Sequence, residues 1–528
     1  MEQEADYVIV GAGSAGCVLA DRLSAGGRAS VILIEAGGSD RRFWIRTPIG
    51  YGKTYADPAV NWRFRAEPDP GLDGRAAYVP RGKVLGGSSS INALVYCRGL
   101  PGDFDDWQAA GADGWGWDAV APAFARVESR TGGPLSVEIR EAELHPIRER
   151  LRDAAREAGL PLTGDMNGPQ PEGVGAYALT TRRGLRCSAA DAFLRPALGR
   201  ANLAVVTGAL ALRVTFDGRR AAGVEFRRGG ETRLVRARRE VILAAGAVGT
   251  PALLQRSGVG PGALLQAMGL PVVADAAAVG RGLQDHVGVN YAFRATEPTL
   301  NGVLGTWIGR LGAGAAFLLA RRGPLSLSVN QMGGLARSRP GLTRADVQLY
   351  FNPLSYSAGF AGERPLTMPD RWPGFILGFN PCRPTSEGRV EIAAPTAETA
   401  PRIVTNYLAT EADRAGVIAG ARLAARLLDT AALRRLIAAP AGFDPVGADD
   451  AALLADFRAR AGSVYHLCGA CRMGPEGRGA LDPRLRLRGV AGLRVADASA
   501  FPNVTSANTN APTLMLAMRA ADLILGDG

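Results

Sequence analysis

Tyr7-Val-Ile-Val10, Gly11-Ala-Gly-Ser-Ala-Gly16 and Cys17-Val-Leu-Ala-Asp-Arg-Leu23 follow one another without a break near the start of the chain. The first run is short and wholly apolar, the pattern of a strand buried on both faces. The last has helical spacing, and Val31-Ile-Leu-Ile34 supplies a second strand ending at Glu35. Strand, glycine turn, helix, strand and acid in that order form a dinucleotide-binding arrangement, far more specific than a glycine pattern alone. Gly11 permits the tight turn, Gly13 lets backbone approach a pyrophosphate, and Gly16 lets the helix pack on the strand. The helix N-terminus offers N–H donors to the diphosphate. Glu35 sits where a carboxylate accepts from ribose hydroxyls.

Two later segments point to FAD among the dinucleotides. Glu240-Val-Ile-Leu-Ala-Ala-Gly246 is another buried strand closing on small residues, as where backbone passes close to a ligand. Arg81-Gly-Lys-Val-Leu-Gly-Gly-Ser-Ser-Ser-Ile-Asn92 is a second glycine-serine turn. Serines also cap helices, but a phosphate neighbour better explains Gly86-Gly87 and the preceding basic pair.

A chain of 528 residues, 47% hydrophobic, is ample for a large core and favours two domains. Its net charge of +11 is spread among acids with no basic run carrying interleaved aromatics, which argues against nucleic-acid binding. Six dispersed cysteines do not form a disulfide framework. Cys468 and Cys471 read as pocket or packing thiols, and two cysteines without a second pair are too few for structural zinc, so no metal is expected. A first strand reached by Tyr7 leaves no room for a signal peptide. Leu311 to Ala320, flanked by Arg310 and Arg321, is too short to span a bilayer and permits at most a peripheral contact. A soluble, cytoplasmic protein is expected.

Only three histidines occur. His466 lies in Ser463-Val-Tyr-His-Leu-Cys-Gly-Ala-Cys-Arg-Met-Gly474, a glycine-bounded loop remote in sequence from the nucleotide motif. An imidazole titrates near neutrality and suits a general base, although a loop histidine can also merely bond to backbone.

These pieces together resemble the glucose–methanol–choline (GMC) oxidoreductase family nearly end to end. The likeness rests on Gly11 to Gly16 with Glu35, on Arg81 to Asn92, and on Gly246-Ala-Val-Gly-Thr-Pro-Ala-Leu-Leu254. It continues through Gly280-Arg-Gly-Leu-Gln-Asp-His286, the His466 loop and Val495-Ala-Asp-Ala-Ser499 before a C-terminal helix. The resemblance implies an α/β (α+β overall) protein: a discontinuous Rossmann-type FAD-binding domain, and a substrate domain whose largely antiparallel sheet is covered by helices. The main FAD part is placed at 1–297, the substrate domain at 298–459, and the return to the FAD domain at 460–528. It further implies FAD contacts at Gly11, Gly13, Ser14, Ala15, Gly16, Glu35, Ala36, Arg81, Val84, Gly87, Asn92, Ala93, Leu94, Val95, and Ala245. Further contacts would come from Asp497, Ala498, Asn510, Ala511 and Thr513, with Ala211 meeting adenine through its backbone. Some members link the flavin to a histidine where this chain has Ile91, so FAD is expected to be non-covalent.

By the same resemblance, a second catalytic His or Asn precedes the final helix. Asn508 and Asn510 compete in Ser506-Ala-Asn-Thr-Asn-Ala-Pro-Thr513; counting back from Asp522 favours Asn508, with Asn510 beside the flavin. Oxidising an alcohol requires loss of the hydroxyl proton while hydride passes from carbon to flavin N5. His466 can take the proton, and Asn508 can donate to the developing alkoxide. The final helix begins near Ala511-Pro-Thr, with Pro512 in its first turn and its dipole favouring negative charge on the flavin. His286 reads as structural, and His145, in a charged helical stretch, as solvated surface.

On the substrate side, Asp346-Val-Gln-Leu-Tyr-Phe351 and Gly374-Phe-Ile-Leu-Gly-Phe379 read as strands, and Arg414 to Leu428 as an amphipathic helix over them. Pocket walls are expected from Val329 to Met332, Tyr350 to Leu354, Phe379 to Cys382 and Tyr465. A choline site wants an aromatic cage and an acid. Gln331 stands where such a site wants the acid, which favours a neutral primary alcohol; the segment Phe379 to Pro384 looks like that of bacterial dehydrogenases of polyethylene glycol or related alcohols. Choline oxidation is the alternative. A fatty-acid photodecarboxylase is another, resting on Cys382-Arg383-Pro384 with Arg402. The electron acceptor is O2, a quinone, a cytochrome or an artificial dye, with Val464 shaping access of O2. The exact alcohol and the oligomeric state are left open.

Overall fold

Strand Tyr7–Val10 is fully enclosed because strands lie on both of its edges and helices on its faces. In the computed structural model, which describes residues 3–356 and 368–527, this strand runs over Gln3–Val10 and pairs in parallel with Val31–Glu35 on one side and Glu231–Leu243 on the other. Leu203–Thr207 extends the sheet in parallel beyond Val31–Glu35. Leu493–Val495 pairs in parallel with Val241–Leu243, so a stretch near the end of the chain completes a sheet begun near its start. Arg220–Arg228 and Ala209–Asp217 continue it as antiparallel strands. Each fully buried Val, Ile or Leu on these strands contributes roughly 1.5–3 kcal/mol of transfer free energy.

Glycine is required at the crossing of the turn and its helix (Ser14–Ser24). Gly11 has φ +100°, and a Cβ there would lie 2.5 Å from the Ala244 carbonyl oxygen. A Cβ on Gly16 would lie 1.8 Å from the Gly11 carbonyl oxygen. Helix and strand therefore meet backbone to backbone.

The second sheet is antiparallel throughout. Its order is Ile437–Pro440, Val287–Ala295, Gly374–Pro381, Val347–Asn352, Met332–Ala336 and Gly173–Ala176, with Gly462–Ser463 also pairing with Val287–Gly288. Strands at 173–176 and 287–295 join it although they precede residue 298, so this sheet too is assembled from separated stretches. Helix Glu411–Leu428 lies on strand Gly374–Pro381. Gly420 makes that approach close, since a Cβ there would lie 2.4 Å from the Phe379 ring. Residues 346–351 and 374–379 thus take up the strands that their alternation predicts. Each sheet has its own large apolar core, and the main cavity lies between the two.

Replacing Gly16 by Ala should destabilise the protein by about 2 kcal/mol or more, because the backbone contact cannot open without moving the helix. Gly199→Ala, where a Cβ would meet nothing within 4 Å, should stay within ~0.5 kcal/mol of wild type. Thermal melts of the two variants check the difference.

Candidate active site

The main cavity, about 490 Å³, runs from the Gly11–Gly16 turn to the His466 loop. Along its nucleotide half lie Gly11, Gly13, Ser14, Ala15, Glu35, Ala36, Arg81, Gly87, Ala211 and Ala245. Asn92, Ala93, Leu94, Val95, Asp497, Ala498, Asn510 and Thr513 also line it. Gly16, Val84 and Ala511 do not. Gly16 is the packing contact already described. Val84 is buried with Ile45, Val60 and Ile91, and its carbonyl holds the Gly87 N–H. Ala511 points into the core cluster behind the final helix.

Several features of this half fit FAD. A Cβ on Gly87 would lie 2.6 Å from Gly13 Cα, so the two glycine turns touch and form one backbone cradle. The helix starting at Ser14 has no side-chain cap, leaving its first N–H groups for a ligand. Glu35 accepts from the N–H groups of Ala12 (2.8 Å) and Gly37 (2.7 Å), and burial pushes its carboxyl up to about 7. Arg256 lines the cavity with no carboxylate partner among the described residues, and burial lowers it to about 10. Ser14 Oγ donates to Asn510 Oδ1 (2.7 Å), tying the N-terminal turn to the final helix, Asn510–Asp527. Pro512 is in that helix's first turn.

At the other end, five side chains form a ladder whose direction can be read. The Cys382 carbonyl can only accept, so His286 Nε2, 2.7 Å away, carries a proton. Burial lowers His286 to about 4, so the ring is neutral and its Nδ1 is an acceptor. His466 Nδ1, 2.8 Å from that nitrogen, must then be the donor. His466 is also buried, and burial, then His286, then Arg81, hold its pKa well below the ordinary imidazole range. Its Nε2 is left bare and accepts from Asn508 Nδ2 at 3.0 Å. Asn508 Oδ1 accepts from Gln348 Nε2 (3.1 Å), and Gln348 Oε1 from the Tyr350 hydroxyl (2.7 Å). The amide of Asn508 is thereby oriented with its N–H groups toward His466.

The His466 loop is held by its backbone. Asp285 accepts from the His466 N–H (2.7 Å), the Ser463 hydroxyl (2.5 Å) and the Tyr407 hydroxyl (2.6 Å), while burial pushes its carboxyl up to about 6. Arg81 Nη2 donates to the Tyr465 carbonyl at 2.9 Å. Tyr465 has φ +70° and Leu94 has φ +66°, both unusual for side-chain-bearing residues, and both line the cavity. Strain of this kind costs about 1–3 kcal/mol and gathers at functional sites.

His286 therefore sits directly behind His466 and is more than the structural residue that the sequence suggests. The clue was its rarity, the same one that singles out His466. His145 departs from its expected place as well. It precedes the helix Arg148–Glu157, is half-buried, and donates its backbone N–H to Gln331 Oε1. That contact keeps Gln331 buried and out of the cavity; Asn330 lines it instead. Of the other expected walls, Tyr350, Asn352, Phe379 and Tyr465 face the cavity, and so does Val464, which was expected to shape access of O2. Tyr51, Tyr55, Trp62, Phe64 and Tyr356, in short or irregular segments without a period, do so unannounced, as does Asn290 on strand Val287–Ala295. Cys382 and Arg383 do not line it: Arg383 Nη1 binds the Ala345 carbonyl and Ser506, and Arg402 lies near Glu67 on the surface. The chemistry expected of those residues in a photodecarboxylase finds no footing there. Cys468 and Cys471 are buried packing thiols.

A two-turn dinucleotide cradle opening onto a neutral imidazole and an amide defines a flavin-dependent oxidoreductase. Comparison with known proteins agrees. The GMC oxidoreductase signatures match residues 5–288 and 384–517. The oxygen-dependent choline dehydrogenase of Vibrio vulnificus (strain YJ016) is 40% identical over 542 residues, covering 99% of this chain and 95% of the relative. The alcohol dehydrogenase (acceptor) of Pseudomonas putida is 37% identical, covering 98% and 95%. Among solved structures, pyridoxine 4-oxidase from Mesorbium loti superposes with TM-score 0.87 at 29% identity, covering 98% of each chain. The chain belongs to the GMC oxidoreductase family and is an FAD-dependent alcohol oxidoreductase.

The buried histidines carry a pH dependence. His286 has a folded value of about 4 against 6.5 when solvated, so its stabilising effect is complete above pH 6.5 and is lost as pH falls toward 4. The loss amounts to about 3 kcal/mol at most. Thermal unfolding across that range should show a falling midpoint, with a shallower slope in His286→Leu.

Proposed function

We propose that the chain oxidises a neutral primary alcohol to the aldehyde, with His466 as the base and Asn508 as the donor to the substrate oxygen. The observation that carries this reading is the bare Nε2 of His466 held beside an Asn508 amide in the cavity. A substrate hydroxyl replacing Asn508 as the donor to Nε2 would pass its proton there. The proton lost from oxygen and the hydride lost from carbon leave a carbonyl. Bound FAD supplies the hydride acceptor. As His466 gains its proton, its Nδ1–H keeps its bond to neutral His286, so the imidazolium has an acceptor on its protein side. Asn508 has a second Nδ2 hydrogen for the oxygen on which negative charge develops.

The walls of the substrate half support a neutral substrate. Tyr51, Tyr55, Trp62, Phe64, Tyr350 and Tyr356 face it, and among the described residues the carboxylates of the cavity lie elsewhere: Glu35 and Asp497 on the nucleotide half, and Glu398 paired with Arg227. Choline is the second reading, favoured by those aromatic faces, which attract a quaternary ammonium, and by the choline dehydrogenases among the relatives. The six free thiols support a cytoplasmic setting. Ile91 lines the cavity where a linking histidine would stand and offers no nucleophile, which supports non-covalent FAD.

Anaerobic mixing of the FAD-loaded protein with a panel of primary alcohols and choline tests the reading. Flavin absorbance should bleach fastest with a neutral alcohol, and recovery on admitting O2 or a dye separates oxidase from dehydrogenase. His466→Ala should retain FAD and bleach about a thousandfold or more slowly; bleaching at the wild-type rate would remove the base assignment. Acid precipitation should release the flavin into the supernatant, whereas flavin remaining with the pellet would mean a covalent link.

A further inference from the structure

Helix Trp307–Ala320 packs on its neighbours through Ala313 and Phe317, and its outer face has nothing upon it among the described residues. That face is apolar along its whole length: Trp307 is 72% exposed, Ile308 66%, Leu311 64%, Leu318 58% and Leu319 88%. These positions fall within one arc of about 120° at 100° per residue. Scattered surface leucines need no explanation, but a continuous stripe of this kind marks an interaction surface. No helix of the described residues is long and apolar enough to cross a membrane, so this one can only lie on a surface.

Charge says which surface. Phe43 touches Phe317 ring to ring at 6.2 Å, joining the helix to the segment that follows Asp40. Between these two pieces lies an open cleft of about 510 Å³ whose wall includes Arg41, Arg42, Arg46, Arg195 and Arg321. Its apolar side is made by Phe43, Phe317 and Leu318. Neither residues 41–56 nor residues 298–345 contain a single Asp or Glu. Arg42, Arg46 and Arg195 have acid neighbours in Asp57, Asp191 and Asp40. Arg41, Arg310, Arg321 and Arg322 have no carboxylate partner among the described residues. Trp44, 36% exposed under the ammonium of Lys53, and Trp307 stand at the edges of the stripe, as aromatic residues do at a membrane interface.

We propose that this face docks on an anionic lipid bilayer, with lipid phosphates in the arginine cleft and the Trp307–Leu319 stripe in the headgroup–acyl boundary. A symmetric pairing of two copies would set arginine against arginine across an apolar seam, which like-charge repulsion opposes. The two segments that build the face also build the cavity wall, since Tyr51 and Tyr55 follow Phe43 closely and Asn330 follows the helix. Docking would thus place the catalytic cavity beside a reservoir of membrane-dissolved alcohols or acceptors.

Sedimentation of the FAD-loaded full chain with vesicles tests this. Wild type should pellet with vesicles of phosphatidylcholine and phosphatidylglycerol in equal amounts, less with phosphatidylcholine alone, and less as salt is raised. The double variant Leu311→Glu, Leu319→Glu should lose about tenfold or more of that binding while its turnover of a short water-soluble alcohol stays at the wild-type rate. Wild type remaining in the supernatant with the mixed vesicles would overturn the proposal, as would a double variant that pellets equally well. Equal pelleting with both lipids would overturn the anionic component. Light scattering completes the test: a wild-type dimer that the substitutions split, with no vesicle binding, would assign the face to a second copy instead.

Discussion

A carbonyl oxygen cannot donate a hydrogen bond, and at Cys382 that restriction orders the whole reacting end of the molecule. It sets the proton on His286 Nε2, hence the lone pair on His286 Nδ1, hence the proton on His466 Nδ1 and the bare nitrogen facing Asn508. The ladder works only because burial keeps both rings neutral; a proton added to either one would replace a hydrogen bond by two opposed N–H groups. Its anchor belongs to the antiparallel sheet, since Cys382 directly follows strand Gly374–Pro381, whereas His466 and Asn508 come from the last quarter of the chain. The relative position of the two halves is therefore written into the tautomer of one imidazole.

The nucleotide half was legible because its constraints select residue types. A backbone crossing with no room for Cβ demands glycine, and a strand buried on both faces demands an unbroken apolar run, so Gly11, Gly16 and Tyr7–Val10 announce themselves. Gly87 announces itself only in part, since its partner in the crossing is Gly13, more than seventy residues earlier. Val84 and Ala511 show the opposite case, in which residues within a cavity-lining segment turn away because a short turn or a helix rotates each successive side chain by a large angle.

The substrate half was less legible for a related reason. Its strands have the alternation of a sheet, but most of its aromatic wall comes from Tyr51, Tyr55, Trp62 and Phe64, in short or irregular segments without a period. Leu94 and Tyr465 take left-handed backbone conformations without being glycine, so nothing in their identity shows it. The pairing of His286 with His466 spans 180 residues, and contact at that separation has no signature in one sequence beyond the scarcity of the residue itself. Gln331 illustrates the converse error: its place beside expected wall residues suggested a pocket role, yet its side-chain oxygen is taken up by the His145 N–H.

Lowering the pKa of a base has two opposing effects, and the site's charge layout bears on their balance. A depressed imidazole is unprotonated at neutral pH and ready to accept, but it is a weaker base and gives up driving force. Arg81 pushes His466 in the same direction as burial. Its cost is contained because Arg81 is itself tied to the Tyr465 carbonyl and lies near Asp285, which holds the His466 N–H from the other side. Permanent positive charge thus resides on a group that cannot lose its proton, next to a buried carboxyl, while burial keeps both imidazoles neutral. A protonated His466 is disfavoured in the resting site, so in the base role proposed for it proton uptake would be supported only when negative charge appears opposite Nε2, as a substrate oxygen begins to release its proton. The same burial that weakens His466 as a free base would, on that proposal, couple its protonation to the reacting oxygen.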